Sequence, residues 1–97
     1  MRTREAGYAI ADDKVQEVFA RIQNGGIEAR QSLIEIAYRV YAEKVIADDL
    51  YLSIIYGYSY DYIEAHLHTI PLERRTWYGY RRKIISIWAI AHGYEAI

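Results

Sequence analysis

Apolar residues recur along this chain at spacings of three and four, and strand-like alternation is weak, so the pattern is helical. Val15, Val18, Phe19 and Ile22 form one stripe of a first helix, capped by Asp12 or Asp13 and running to about Gln23. Asn24-Gly25-Gly26 supplies a left-handed stop. A second helix begins near Glu28. Leu33, Ile36, Ala37, Val40, Tyr41 and Val45 keep its period, with Glu28, Glu35 and Glu43 mostly on the other side. Asp48-Asp49 either caps a shorter third helix, striped by Leu50, Tyr51, Ile54 and Ile55, or lies within one long bent helix. Gly57 ends this segment. Ser59 or Asp61 caps a fourth helix with Tyr62, Ile63, His66 and Leu67 as its periodic positions. That helix must stop near Thr69, because the residue before Pro71 is pushed out of helical geometry. A fifth helix starts at Leu72 or Glu73 and runs to about His92, with Gly93 as its stop.

The fifth helix has two faces. At 100° per residue, Ile84, Trp88 and Ala91 lie within about 40° of Trp77, with Tyr80 and Ile87 just to one side. The opposite side holds Arg75, Tyr78, Gly79, Arg82 and Ser86. Arg74 and Arg81 flank it on one edge and Lys83 on the other. One helix thus anchors itself with two Trp and presents Arg, Tyr and a side-chain-free Gly outward.

Composition sharpens this picture. The 97 residues are enough for one domain, and 53% of them are hydrophobic, which suits a packed core and not a disordered tail. Absence of Cys excludes disulfides and thiolate metal sites. Residues 1–11 have no apolar run before a small-residue cleavage site, so no signal peptide is expected, and no uncharged apolar stretch approaches membrane-spanning length. The net charge of −1 hides an uneven distribution. Between Leu72 and Lys83, five of the twelve basic residues face one of the thirteen acidic ones; the rest of the chain has seven basic against twelve acidic. Positive charge focused on an acidic body is the electrostatic footprint of a small nucleic-acid reader.

The residue types fit that chemistry. Arg bonds bidentately to a guanine edge or clamps a phosphate, and clustered cations release counterions from DNA. Tyr hydroxyls reach phosphate oxygens, and an exposed Gly lets the backbone lie close to a groove wall. The expected base and phosphate contacts are Arg74, Arg75, Tyr78, Arg82 and Lys83, with Thr76 and Arg81 meeting phosphate. The run Ile70-Pro71-Leu72-Glu73-Arg74-Arg75-Thr76-Trp77 reads as the corner of a helix-turn-helix: Ile70 closes the fourth helix, Leu72 fills the corner and Glu73 stands at the cap. The expected fold is all-α with about five helices in one domain, residues 1–57 forming an N-terminal helical hairpin and residues 58–93 the helix-turn-helix.

The stretch from Tyr58 to Ala91 resembles the C-terminal part of RinA/ArpU-type phage transcriptional regulators and, more distantly, the DNA-binding fourth region of bacterial sigma factors. Arg75-Thr76, Trp77-Tyr78 and Tyr80-Arg81-Arg82-Lys83-Ile84-Ile85 carry the resemblance. It covers about a third of the chain. It implies a phage or mobile-element regulator of transcription acting on double-stranded DNA in the cytoplasm of a bacterial host.

Other candidates have plainer explanations. His66 and His68 stand two apart and so point to different sides of a helix, which is not the spacing of a helical zinc pair. Asp12-Asp13 and Asp48-Asp49 sit where helices should begin, so capping and dipole stabilisation explain them better than cation binding or acid–base work. Gly25-Gly26 lacks any phosphate-loop context. No nucleophile elbow or other catalytic pairing is present, so neither catalytic residues nor a metal or cofactor is expected, and the chain does not read as an enzyme. Eleven Tyr exceed what a small core needs. Some should line a contact surface, which leads to the expectation of a homodimer formed through the first two helices. RNA polymerase is a further partner to consider for the acidic N-terminal half. Two other readings compete with a regulator: a helical adaptor or inhibitor whose basic face grips an acidic protein, and a small-terminase-like DNA-packaging subunit.

Overall fold

Local signals place most helix ends, and tertiary contacts move the rest. The computed structural model describes residues 10–95. Five helices make the fold all-α: α1 (Asp12–Asn24), α2 (Gly26–Val40), α3 (Lys44–Tyr56), α4 (Tyr60–His66) and α5 (Arg74–Ala91). The signal-peptide reading concerns a segment whose first nine residues lie outside the described ones.

Gly26 and Gly57 both adopt φ 76°, a conformation that an L side chain resists, and they mark the α1–α2 corner and the end of α3. Ser59 caps α4, its Oγ accepting the Tyr62 N–H at 3.0 Å. Pro71 and the residues before it are non-helical, and α4 stops at His66, three residues earlier than expected.

Two expectations about Asp pairs fail. Asp12 and Asp13 lie in the first turn of α1, where they complement the helix dipole, and Ala11 occupies the cap position. Asp48 and Asp49 neither cap α3 nor sit in one long helix. The chain leaves α2 at Tyr41 (φ −136°, ψ 115°), and α3 resumes at Lys44 with Glu43 at its cap. Both Asp side chains have tertiary uses instead. Asp48 accepts from Tyr38 Oη at 2.6 Å and from Lys44 Nζ at 2.9 Å, while Asp49 is 3% exposed and faces His68.

One continuous cluster forms the core, from Ile10 through Val18, Ile22, Leu33, Ile36, Leu50 and Ile54 to Trp77, Ile84 and Trp88. Helices α1, α2, α3 and α5 all touch one another around it, and α4 lies against α5. Trp88 reaches across to α2, donating its indole N–H to the Ala29 carbonyl at 3.3 Å. Among the described residues, no helix is long and apolar enough to cross a membrane.

The faces of α5 depart from a single uniform stripe. Trp77, Ile84 and Trp88 are buried as the period predicts. Ser86, expected outward, has no exposed surface, and Ala91, expected inward, is exposed. From Ile84 to Ala89 only Ile87 keeps partial exposure, because α1, α2 and α3 close around this half. The amino-terminal half from Arg74 to Gly79 buries Trp77 alone.

Candidate nucleic-acid interface

Tyr60 holds α4, the connection and α5 together. It is buried at the first position of α4, and its hydroxyl donates to the Leu72 carbonyl in the connection. Its ring meets the edge of Trp77, with centroids 5.5 Å apart and planes at 75°. Its own N–H, left over at the start of α4, donates to the Tyr78 hydroxyl oxygen at 3.0 Å. Burial is the main cause that raises the Tyr60 hydroxyl above its ordinary pKa, with the Glu64 carboxylate adding to it.

The connection, residues 67–73, is seven residues long, against three or four in a compact helix-turn-helix. It is tied at further points. Ile70 is buried, and its N–H donates to Glu64 Oε2 at 3.1 Å. His68 spans two acceptors: Nδ1 lies 3.1 Å from the Thr69 carbonyl and Nε2 lies 3.0 Å from Asp49 Oδ1 on α3. An imidazolium donates to both, whereas a neutral ring donates to only one. The bond to the Thr69 carbonyl, and then that to Asp49, raises the His68 pKa. Burial raises the Asp49 carboxyl and outweighs the lowering effect of His68. The other Asp49 oxygen, Oδ2, is buried with no partner among the described residues.

Against this frame the seven expected contact residues divide. Arg74, Arg75, Thr76 and Tyr78 are exposed on the amino-terminal half of α5. Arg74 pairs with Asp61 of α4, and its guanidinium lies 5.1 Å from the centroid of the Tyr60 ring. Arg75 has no ion-pair partner among the described residues. Tyr78 is exposed at its ring while its hydroxyl is engaged by Tyr60.

Arg81 does not flank an outward face. It turns inward, Nε donating to Ser53 Oγ at 2.8 Å and the guanidinium sitting 4.9 Å from the centroid of the Phe19 ring. Burial pushes its pKa below the usual arginine value. Arg82 is only partly exposed and reaches the start of α1, donating at 2.9 Å to both the Ile10 carbonyl and Asp12 Oδ1. Helix periodicity could not foresee either turn, because both depend on where α1 lies. Lys83 is half-buried beside them.

Gly79 stands within α5 at an exposed position. A Cβ built there would meet nothing within 4 Å, so no packing inside the chain demands glycine. A mid-helix glycine costs about 0.5–1 kcal/mol relative to alanine. Among the described residues, no group of three or more His, Cys, Asp or Glu is placed to hold a metal ion.

Sequence reasoning missed Tyr60, Asp49 and His68 as the residues that fix the connection. A tyrosine directly after a capping serine was the one available hint. No protein family matches the chain, and neither does any curated protein or solved structure.

Proposed function

We propose that this protein binds double-stranded DNA in a sequence-specific manner, with α4, the connection and α5 acting as a helix-turn-helix and the amino-terminal half of α5 as the reading surface. The observation that carries this reading is the division of α5. Its carboxy-terminal half is clamped in the core, so the exposed half bearing Arg74, Arg75, Thr76 and Tyr78 is held rigidly on a buried Trp77. Preorganised cations lose little conformational freedom when they meet a phosphate or a guanine edge.

Gly79 supports the same surface from a different direction. Its open position carries a stability cost with no internal use, and close approach of a groove wall would repay it. Arg75, exposed on this half and without an ion pair among the described residues, is the base-reading candidate. Arg74 must exchange Asp61 for phosphate, and Arg82 must exchange Asp12. The resemblance of Tyr58 to Ala91 to phage regulators supports a role in transcription control in a phage or mobile element.

The test is selection from a pool of random duplexes at about 50 mM salt, followed by mobility shift with the enriched sequence. The wild type retains the duplex, and Arg75→Ala weakens it by about tenfold or more with an unchanged helical circular dichroism spectrum. Failure of the wild type to retain any duplex at low salt would end this reading.

A further inference from the structure

The outer face of α2 carries exposed apolar residues that the proposed function does not use. Its core-facing residues, Ala29, Leu33, Ile36 and Ala37, are buried on one side of the helix. The opposite side carries Ile27, Gln31, Ile34 and Tyr38 at spacings of four, three and four. Ile27 is 74% exposed, which makes it the most exposed large apolar residue described. Spacings of four and three repeated along one face form a short seam within α2, with Ile27 and Ile34 at one core position and Gln31 and Tyr38 at the other.

The charges beside this seam distinguish an occupant. Arg30 flanks it on one side; Glu28 and Glu35 flank it on the other. Arg30, Glu28 and Glu35 are exposed and take part in no ion pair among the described residues. When two identical helices run parallel, the flank before one core position meets the opposite flank of the neighbour five residues further on. Arg30 then faces Glu35 of the other helix, and symmetry makes the pair twice. An antiparallel arrangement would instead set the acidic flank against itself. The face is therefore complementary to its own copy in one orientation.

We infer that α2 is a homodimerisation helix, pairing in parallel with α2 of a second copy through Ile27, Gln31, Ile34 and Tyr38, with reciprocal Arg30–Glu35 ion pairs. Gln31 is the polar core position that sets register against slippage by a turn. The seam uses no residue of the exposed half of α5, so the pairing stands whether or not α5 binds DNA. Where it does, a two-fold dimer matches a two-fold-symmetric duplex site.

Sedimentation equilibrium at about 5–200 µM, with helicity monitored throughout, tests the pairing. The wild type is expected as a dimer and Ile34→Asp as a folded monomer. Arg30→Glu and Glu35→Arg, both at the surface, each weaken dimerisation by about tenfold, and the double exchange restores it. The chain has no Cys, so single substitutions report orientation without background. Under mild oxidation, Ile27→Cys and Ile34→Cys both form linked dimers in a parallel pair, whereas an antiparallel pair sets the two copies of position 27 far apart and does not link both variants. A wild type that stays monomeric throughout, a dimer indifferent to the charge exchanges, or failure to link both Cys variants would each overturn the inference.

Discussion

The two halves of α5 are built from one continuous helix and live in opposite environments. From Ile84 to Ala89 the chain is enclosed almost all round; from Arg74 to Gly79 it buries one side chain, Trp77. A helix with one uniform stripe lies along a surface. A helix that is enclosed at one end and open at the other presents its open half to solvent, here seated on the core through Trp77. The contrast explains why five basic residues in a row of twelve do not behave alike. Arg74 and Arg75 lie on the open half, whereas Arg81 and Arg82 lie where α1 and α3 close over the helix and are drawn into bonds with Ser53, Ile10 and Asp12.

The largest effect should come from removing the joint between the halves. Trp77→Ala should cost about 3–5 kcal/mol in urea denaturation, enough to unfold a domain of this size under mild stress. Arg75→Ala, two residues away, should stay within about 0.5 kcal/mol of the wild type. Equal losses from the two would erase the distinction between the buried anchor and the open half.

His68 controls how the open half is seated, through the buried Asp49. His68→Ala leaves that carboxyl without its donor and should cost about 1–3 kcal/mol near pH 6. The wild type should also be pH-dependent. The raised His68 value means that the folded chain holds this proton more tightly than the unfolded chain. Its contribution is complete below the unfolded value of about 6.5 and fades as pH rises through the higher folded value. Asp49, raised by burial, adds a loss of the same sign that begins at lower pH, where carboxyls titrate. The urea midpoint should therefore fall as pH rises above about 6.5, and His68→Ala should flatten that slope. A midpoint that rises over the same range would contradict the His68–Asp49 geometry.

Arg81 and Arg75 offer a subtler comparison. Arg81→Ala loses the Ser53 bond and the stacking on Phe19, and should lower stability by about 1–2 kcal/mol. A neutral Arg81→Ala would place that side chain outside, with Arg75. The smallest shift is at Gly79. Gly79→Ala should raise stability by about 0.5–1 kcal/mol, because its Cβ meets nothing and helix propensity improves. Duplex affinity should fall in the same variant. A gain in both would show that no surface approaches this part of α5 closely.

Helix count, the all-α class, the Trp77–Ile84–Trp88 anchor, the stop at Gly57 and a start of α4 at Ser59 or Asp61 could be read from the chain, because each rests on neighbours within a turn or two. The same reasoning put Arg75, Tyr78 and Gly79 on the exposed side correctly. It failed at Ser86, Arg81 and Arg82, where the periodicity is sound but the surroundings differ. It failed again at Asp48 and Asp49, whose carboxylates looked like caps and are used by Tyr38, Lys44 and His68 instead.

By itself, then, the sequence determined what local hydrogen bonding and the 3.6-residue period can enforce: where the helices run, the main buried anchors, and that one short segment concentrates positive charge, but not the face of α4, whose expected positions Tyr62, His66 and Leu67 are exposed while Ile63 alone of the four is buried. Only the tertiary structure decided which of those charges are open. That choice rests on residues far apart in the chain, with α1 laid over the middle of α5 and Asp49 buried beneath the α4–α5 connection. Desolvation and long-range partners set the exposure of an arginine, and neither is encoded within the helix that carries it.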